Sequence, residues 1–468
     1  MELVDLSATE AARQIRSRTI SSEELVRACA QRINEREGEV RAWQYFDPDH
    51  AIRQAAARDT AQKAGQTLGL LHGVPVGIKD IIATADMPTE DGTPINKGRQ
   101  PASDAGCVAA LREAGAVIMG KTVTTELAAR FPGKTRNPHN TAHTPGGSSS
   151  GSAAAVACGM VPLALGTQTG GSVIRPASFC GIYGLKPTLG MISRAGVTLQ
   201  SHTLDTVGVY GCSVDDLALI TEALSLSDPT DPVSYPRARA SFVEMASPGA
   251  RAVPDASTEQ GIAMVAPKFG FMRTPAWEAA DRSAQEAILE FVAEAGFPIA
   301  ELSTPPSFVD IIEAHKCIQH SENVYHFAEI EARGRALLSP TLCEALDAAR
   351  TISARDYLQA QGLRDVMNAD FEALLSGNAR LAGSAWEGGY DAVLCLASCG
   401  SAPRGLDWTG DPVFNGMWTY LGVPTVTLPL LQADGLPLGL QVVGKRRDEA
   451  RLLRAAQWLS QRFTNAPA

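Results

Sequence analysis

Residues 145–187 read PGGSSSGSAAAVACGMVPLALGTQTGGSVIRPASFCGIYGLKP. Two serines in this stretch, Ser148 and Ser172, are each introduced by paired glycines, and a nearly uncharged run of small and aliphatic residues separates them. Paired glycines remove the Cβ atoms that would block close approach of the backbone. They also admit φ > 0, so that N–H groups can turn toward a bound group. Two such turns flanking one buried segment predict a site built from both.

Working outward, LHGVPVGIKDII at 71–82 is a short β-branched run punctuated by Gly73, Pro75 and Gly77, with a lone lysine, Lys79, inside it. Lysine is uncommon amid apolar strand residues. It is either a stem that snorkels from a strand end or an amine buried for a reason. GAVIMGKT at 115–122 reads as a strand, TTELAARF after it as a helix, and VPLALGTQT again as a strand. This alternation predicts an α/β fold, a mixed and twisted central sheet with helices on both faces.

Before this core lie three helices, at 8–16, after the cap Ser21-Ser22-Glu23-Glu24, and at 49–64. After it, SDPTDPVSYPRARA is a surface connection, MVAPKFGF a strand, and 277–295 and 306–347 are helical. YDAVLCLAS, VPTVTLPLL and PLGLQVVG return to strands, and an amphipathic helix closes the chain. The expected organisation is one domain over 1–468. Its core spans 65–224, a helical insertion that caps the substrate site spans about 225–380, and 381–468 return to the sheet.

Hydrophobic residues at 45%, charged at 20% and aromatics at 6% describe a globular protein with an Ala-, Leu- and Val-rich core. A net charge of −10 with no basic stripe argues against nucleic-acid or anionic-membrane partners. No apolar run reaches the roughly 20 residues of a membrane span, and the first residues lack the charge pattern of a signal peptide. Nine cysteines without a C-x-x-C pair fit reduced thiols in a cytoplasmic protein; Cys395 and Cys399 are close, but nothing nearby completes a metal set. Neither metal nor cofactor is expected, and the protein is expected to be a monomer or homodimer acting on a small molecule.

Two motifs match by pattern and fail by context. Gly115–Thr122 fits G-x-x-x-x-G-K-[ST], but Ala-Val-Ile-Met is itself the strand rather than a phosphate-wrapping loop. Gly147–Gly151 fits G-x-S-x-G, but polar, irregular NPHNTAHTP precedes it where the nucleophile elbow needs a buried strand. The eight histidines show no ligand spacing.

What remains is a lysine in a buried strand and two glycine-introduced serines. A serine hydroxyl is a weak nucleophile until a base takes its proton. A lysine can be that base if burial lowers its pKa. One serine would then shuttle the proton and the other attack. The N–H groups of Thr169, Gly170, Gly171 and Ser172 would form an oxyanion hole, in which one donor contributes roughly 3 kcal/mol.

These segments, GGSSSGSAAAVA, GTQTGGSVIRPASFCGIYGLKPT and GVPVGIKD, closely resemble the amidase signature family of Ser-cisSer-Lys hydrolases, a likeness that NPHNTAHTPGGSS, WTYLGVPTVTLP and PLGLQVVG extend over nearly the whole chain. The resemblance implies that Ser172 is the nucleophile, Lys79 the general base, and Ser148 the middle serine after a cis Gly147–Ser148 peptide, with Gly147 and Ser149 supporting that bond. Many members carry Arg two residues after the nucleophile. Here Arg175 comes third, in the Ser-Val-Ile-Arg-Pro form associated with a subset of bacterial amidases, and both a structural ion pair and a substrate contact stand as its role.

The activity implied is hydrolysis of amide C–N bonds, on small apolar or aromatic amides, with carbamates (urethanes) and esters presenting the same carbonyl. The alternative is the glutaminase-type A subunit of a tRNA-dependent amidotransferase. Substrate contacts are expected from Thr125, Glu126, Phe131, Phe414, Asn415, Trp418 and Tyr420, although an aromatic such as Trp418 is more often core than wall.

Overall fold

The apolar runs of the sequence become strands. The structure is a computed structural model describing residues 2–238, 240–246, 252–254, 262–264, 266–377 and 389–464. The strands are β1 (Trp43–Phe46), β2 (Pro75–Lys79), β3 (Val117–Thr122), β4 (Leu163–Gln168), β5 (Tyr183–Lys186), β6 (Thr206–Gly211), β7 (Ala252–Pro254), β8 (Ile262–Met264), β9 (Phe269–Met272), β10 (Ile299–Leu302), β11 (Ala392–Leu396), β12 (Thr425–Ala433) and β13 (Leu436–Val443). Eleven form one sheet in the order β1-β3-β2-β4-β6-β5-β12-β13-β11-β9-β10, while β7 and β8 pair only with each other. The sheet is mixed: β2 runs parallel to both β3 and β4, whereas β4, β6, β5, β12, β13 and β11 alternate.

Helices cover the sheet for reasons visible in their sequences. Ser21 and Glu24 form a capping box on the Ser22–Val40 helix, the serine Oγ accepting from Glu24 N at 3.1 Å and the Glu24 carboxylate from Ser21 N at 2.7 Å. The Ser150–Ala157 helix is made of small residues because it lies almost on the backbone of its neighbours. A Cβ on Gly151 would stand 2.1 Å from Ala42 O and 2.4 Å from Val123 N. That packing brings the helix N-terminus, and Ser148 before it, to the ends of β2 and β4.

Two expectations are corrected. The interval 225–380 is more than a helical insertion: β9 and β10 lie in it and extend the sheet, parallel to β11 and to each other. Phe269 and Phe271, both 1% exposed, supply the apolar reason. The boundary at 380/381 falls outside the described residues. TTELAARF is not a helix but a single 3-10 turn at Glu126–Ala128, with Leu127 and Ala128 at positive φ. The backbone is drawn away by Leu127 N donating to Asp91 O and by Glu126 accepting from Ser339 N and Oγ. Among the described residues no helix is long and apolar enough to cross a membrane.

Candidate active site

Lys79 ends β2, whose five residues are all buried between two parallel neighbours. Its Nζ lies 2.7 Å from Ser148 Oγ and 2.8 Å from Thr167 Oγ1 of β4. Burial holds its ammonium well below the usual lysine range, and the negative charge of nearby Asp205 pulls the other way. Asp205 is itself pushed up by burial, against hydrogen bonds from Thr169 Oγ1 at 2.5 Å and from Gln200 N and Ser201 N. A neutral amine beside two hydroxyls can donate to one and accept a proton from the other.

The peptide between Gly147 and Ser148 is cis. Gly146 precedes it at φ +80°, where a Cβ would stand 2.9 Å from Pro176 Cα, so glycine is required on both counts. The three serines that follow are separated by their bonds. Ser148 faces Lys79, Ser149 Oγ joins the Thr167 backbone at 3.2 Å, and Ser150 Oγ donates to Gly146 O at 2.8 Å.

Arg175 is no ion-pair residue among the described residues. Its Nη2 donates to Gly147 O, the carbonyl of the cis peptide, at 2.7 Å, and its Nε to Thr409 O at 2.8 Å. The guanidinium is buried, which pulls it down to about 10, so it stays charged near neutrality. Of the two roles left open by the sequence, the structure replaces the ion pair with a backbone clamp.

The loop Thr169–Ser172 is polarised. Each of its four carbonyls accepts a hydrogen bond: Thr169 O from His315 Nε2 at 2.9 Å, Gly170 O from Thr419 Oγ1 at 2.8 Å, Gly171 O from Arg175 N at 3.0 Å and Ser172 O from Tyr210 OH at 3.1 Å. Among the described residues none of the four N–H groups has an acceptor. A Cβ on Gly171 would lie 2.3 Å from Asn415 Oδ1 and 2.8 Å from Arg175 Nη1, so any larger residue there displaces those buried side chains. Gln168 holds the turn that follows, its Oε1 accepting from Val173 N at 2.9 Å and Ile174 N at 3.0 Å. A carbonyl oxygen developing negative charge in front of this loop would meet free donors.

Lys79 and Ser148 are buried at 0% and 2% exposure, whereas Ser172 opens on a cleft of about 380 Å³, ample for a small organic molecule. Ser172 Oγ has no hydrogen-bond partner among the described residues. The cleft walls include Arg130, Ile312, Gln319, Trp408, Asp411 and Met417. Most of the expected substrate contacts lie elsewhere. Phe414, Trp418 and Tyr420 are core residues, at 1%, 0% and 0% exposure, with Trp418 packed on Phe371 at 5.2 Å. Asn415 is tied to Ala397 O at 2.9 Å, Thr125 to Ala129 O at 2.7 Å, and Glu126 to Ser339. Phe131 alone of the seven is well exposed, beside Arg130 at the rim. The apolar helix Val413–Leu421 turns its aromatics into the protein and leaves Val413, Gly416 and Met417 to the cleft.

Thr167, Asp205, His315 and Thr419 were not singled out in the sequence. Only Thr167 carried a signal, since it stands on the strand that runs into the second glycine pair.

The sequence profile of the amidase family matches residues 24–453. The chain belongs to the amidase family. Similar curated sequences include the A subunit of the glutamyl-tRNA(Gln) amidotransferase of Chloroflexus aggregans, 32% identical with 97% of this chain and 95% of that one covered, and its counterpart from Anaeromyxobacter sp., 32% identical with 100% and 98% covered. Among solved structures, the peptide amidase of Stenotrophomonas maltophilia superposes with a TM-score of 0.82 at 28% identity, covering 98% of this chain and 97% of that one. A chain from a vestigial protein complex related to an s-triazine catabolic enzyme reaches 0.86 at 26% identity, with 99% of both chains covered. This amidase-family chain shares the α/β architecture of those two solved structures.

Proposed function

We propose that this amidase-family protein hydrolyses amide C–N bonds through a Ser-cisSer-Lys relay. The observation that carries the reading is the contact of Lys79 Nζ with Ser148 Oγ at 2.7 Å, beside four unengaged N–H groups that flank Ser172. Neutral Lys79 takes the Ser148 proton as Ser148 takes that of Ser172, and Ser172 Oγ bonds to the substrate carbonyl carbon. The N–H groups of Thr169, Gly170, Gly171 and Ser172 hold the oxyanion. The proton returns through Ser148 to the leaving nitrogen, the C–N bond breaks, and an acyl ester remains on Ser172. Water then attacks that ester, giving its proton along the same path, and the acid departs. Lys79 and Ser148 carry each proton between the attacking hydroxyl or water and the departing group, and this relay uses no metal or organic cofactor. The carbonyl chemistry is common to amides, carbamates and esters.

A second reading is favoured by the full-length curated relatives at 32% identity: the A subunit of a tRNA-dependent amidotransferase, with the same relay releasing ammonia from an amide donor to a partner. The test is a panel of aryl amides, aliphatic amides, glutamine, carbamates and esters, with Ser172→Ala as control. Turnover of simple amides by the chain alone supports the stand-alone hydrolase. Turnover of glutamine only in the presence of other amidotransferase subunits supports the second reading. Full turnover by Ser172→Ala contradicts both.

A further inference from the structure

The Ile311–His326 helix belongs to the segment that follows the core, yet one of its residues reaches the oxyanion loop. His315 is 4% exposed, and its Nε2 lies 2.9 Å from Thr169 O. A carbonyl only accepts, so Nε2 carries the proton. The other ring nitrogen faces Gly416, where a Cβ would stand 2.8 Å from Nδ1. Burial pushes the imidazole down to about 4, which keeps it neutral and in this one tautomer near pH 7. With Nε2 committed to Thr169 O and Nδ1 facing Gly416, the ring turns neither nitrogen toward Ser172.

The carbonyl it grips shares a planar trans peptide with the Gly170 N–H, and in such a unit the C=O and N–H point in opposite directions. Holding Thr169 O toward the helix turns the Gly170 N–H away from the helix. We propose that His315 is a positioning residue of the oxyanion hole, fixing the Thr169–Gly170 peptide so that the Gly170 N–H is aimed before substrate arrives. The proposal rests on the catalytic reading above. It also gives the helix two roles. Ile312 and Gln319, one turn either side of His315, line the cleft, so the element that touches substrate also sets the electrophilic donors.

The test compares His315→Ala with His315→Gln, whose Nε2 can donate where the imidazole did, on the amide that the wild type cleaves fastest. His315→Ala is expected to lower kcat roughly 10- to 100-fold with KM changed less than about 3-fold, as for loss of an interaction made in the transition state. Phenylboronic acid, which adds to a nucleophilic serine as a tetrahedral adduct, should lose inhibitory affinity by a similar factor, and His315→Gln should recover most of both. If His315→Ala does not fold, His315→Phe replaces it as the donorless variant. A donorless variant with kcat within about 2-fold of wild type, or a loss that Gln does not repair and phenylboronic acid does not register, overturns the inference. Ser172→Ala run alongside separates the cases: if it keeps turnover, the relay itself is wrong, whatever His315 does.

Discussion

Lys79 Nζ and Ser148 Oγ stand 2.7 Å apart, and the only other partner of that amine among the described residues is a second hydroxyl, Thr167 Oγ1. Two further lysines are buried as deeply but differ in what surrounds them. Lys186 donates to Val423 O and Pro187 O, and Lys121 to Ile82 O and Thr89 Oγ1 with the Asp80 carboxylate 3.4 Å away. Carbonyls and carboxylates only accept, so they suit an amine that keeps its protons. Hydroxyls also donate, and Lys79 is the one of the three that hydrogen-bonds to hydroxyls alone, with no carbonyl or carboxylate in contact among the described residues to hold it protonated.

Replacing Lys79 by alanine removes both the base and the acid that returns a proton to the leaving group. Amide turnover is expected to fall by roughly 10²–10⁴-fold, the usual worth of general acid–base catalysis. Aryl ester turnover should fall less, because a phenoxide departs without protonation. Parallel assays of a matched amide and ester pair read the difference.

Asp205→Asn tests the electrostatics. The Asp205 charge favours the ammonium form of Lys79, so its removal lowers the Lys79 pKa further. Activity needs the neutral amine and is lost as pH falls through that pKa. The acid limb of kcat/KM is therefore expected to move to lower pH in the variant, and a full pH profile measures the shift.

Arg175→Met leaves Gly147 O and Thr409 O without their donor. Each lost hydrogen bond from a buried charged group costs roughly 1.5–3 kcal/mol, so a lower Tm is expected together with lower kcat, because Gly147, which immediately precedes Ser148, loses the donor that holds its carbonyl. Arg175→Lys should restore little of either, since a single ammonium cannot span both carbonyls in the guanidinium geometry. Thermal melts and steady-state kinetics on the pair measure it.

Two tryptophans separate core from cleft. Trp418 is fully buried against Phe371 and Phe308, so Trp418→Ala is expected to cost about 3–5 kcal/mol of stability. Trp408 is 54% exposed on the cleft wall, and Trp408→Ala should leave stability within about 0.5 kcal/mol while changing KM and the preference among amides. Denaturant titrations and substrate profiles distinguish the two.

These tryptophans also mark where a sequence stops being legible. Lys79 was legible because a charge inside an apolar strand breaks the local pattern, and Ser148 and Ser172 because paired glycines are costly unless backbone must approach something closely. The strands β2, β3, β4, β9, β11, β12 and β13 were legible from their apolar runs, whereas β1, β5, β6 and β10 were not. The cleft wall was not, since Trp418 and Trp408 differ only in which way a helix and its preceding loop turn. His315, Thr419 and Asp205 act on the 169–172 loop from distant parts of the chain, and no local signal marks a residue whose partner is brought to it only by folding. TTELAARF misled for the same reason: Glu126 is committed to Ser339, far along the chain, and that tertiary bond outweighs helix propensity.

The most direct measurement is intact-mass and peptide-mapping spectrometry of the wild type and of Ser172→Ala after brief reaction with an activated acyl ester. The expected result is one acyl group on the peptide containing Ser172 in the wild type, lost on further incubation in water, and none in Ser172→Ala. An acyl group on Ser148, or a Ser172→Ala protein that acquires the label and continues to turn over amide, would contradict the assignment of Ser172 as nucleophile.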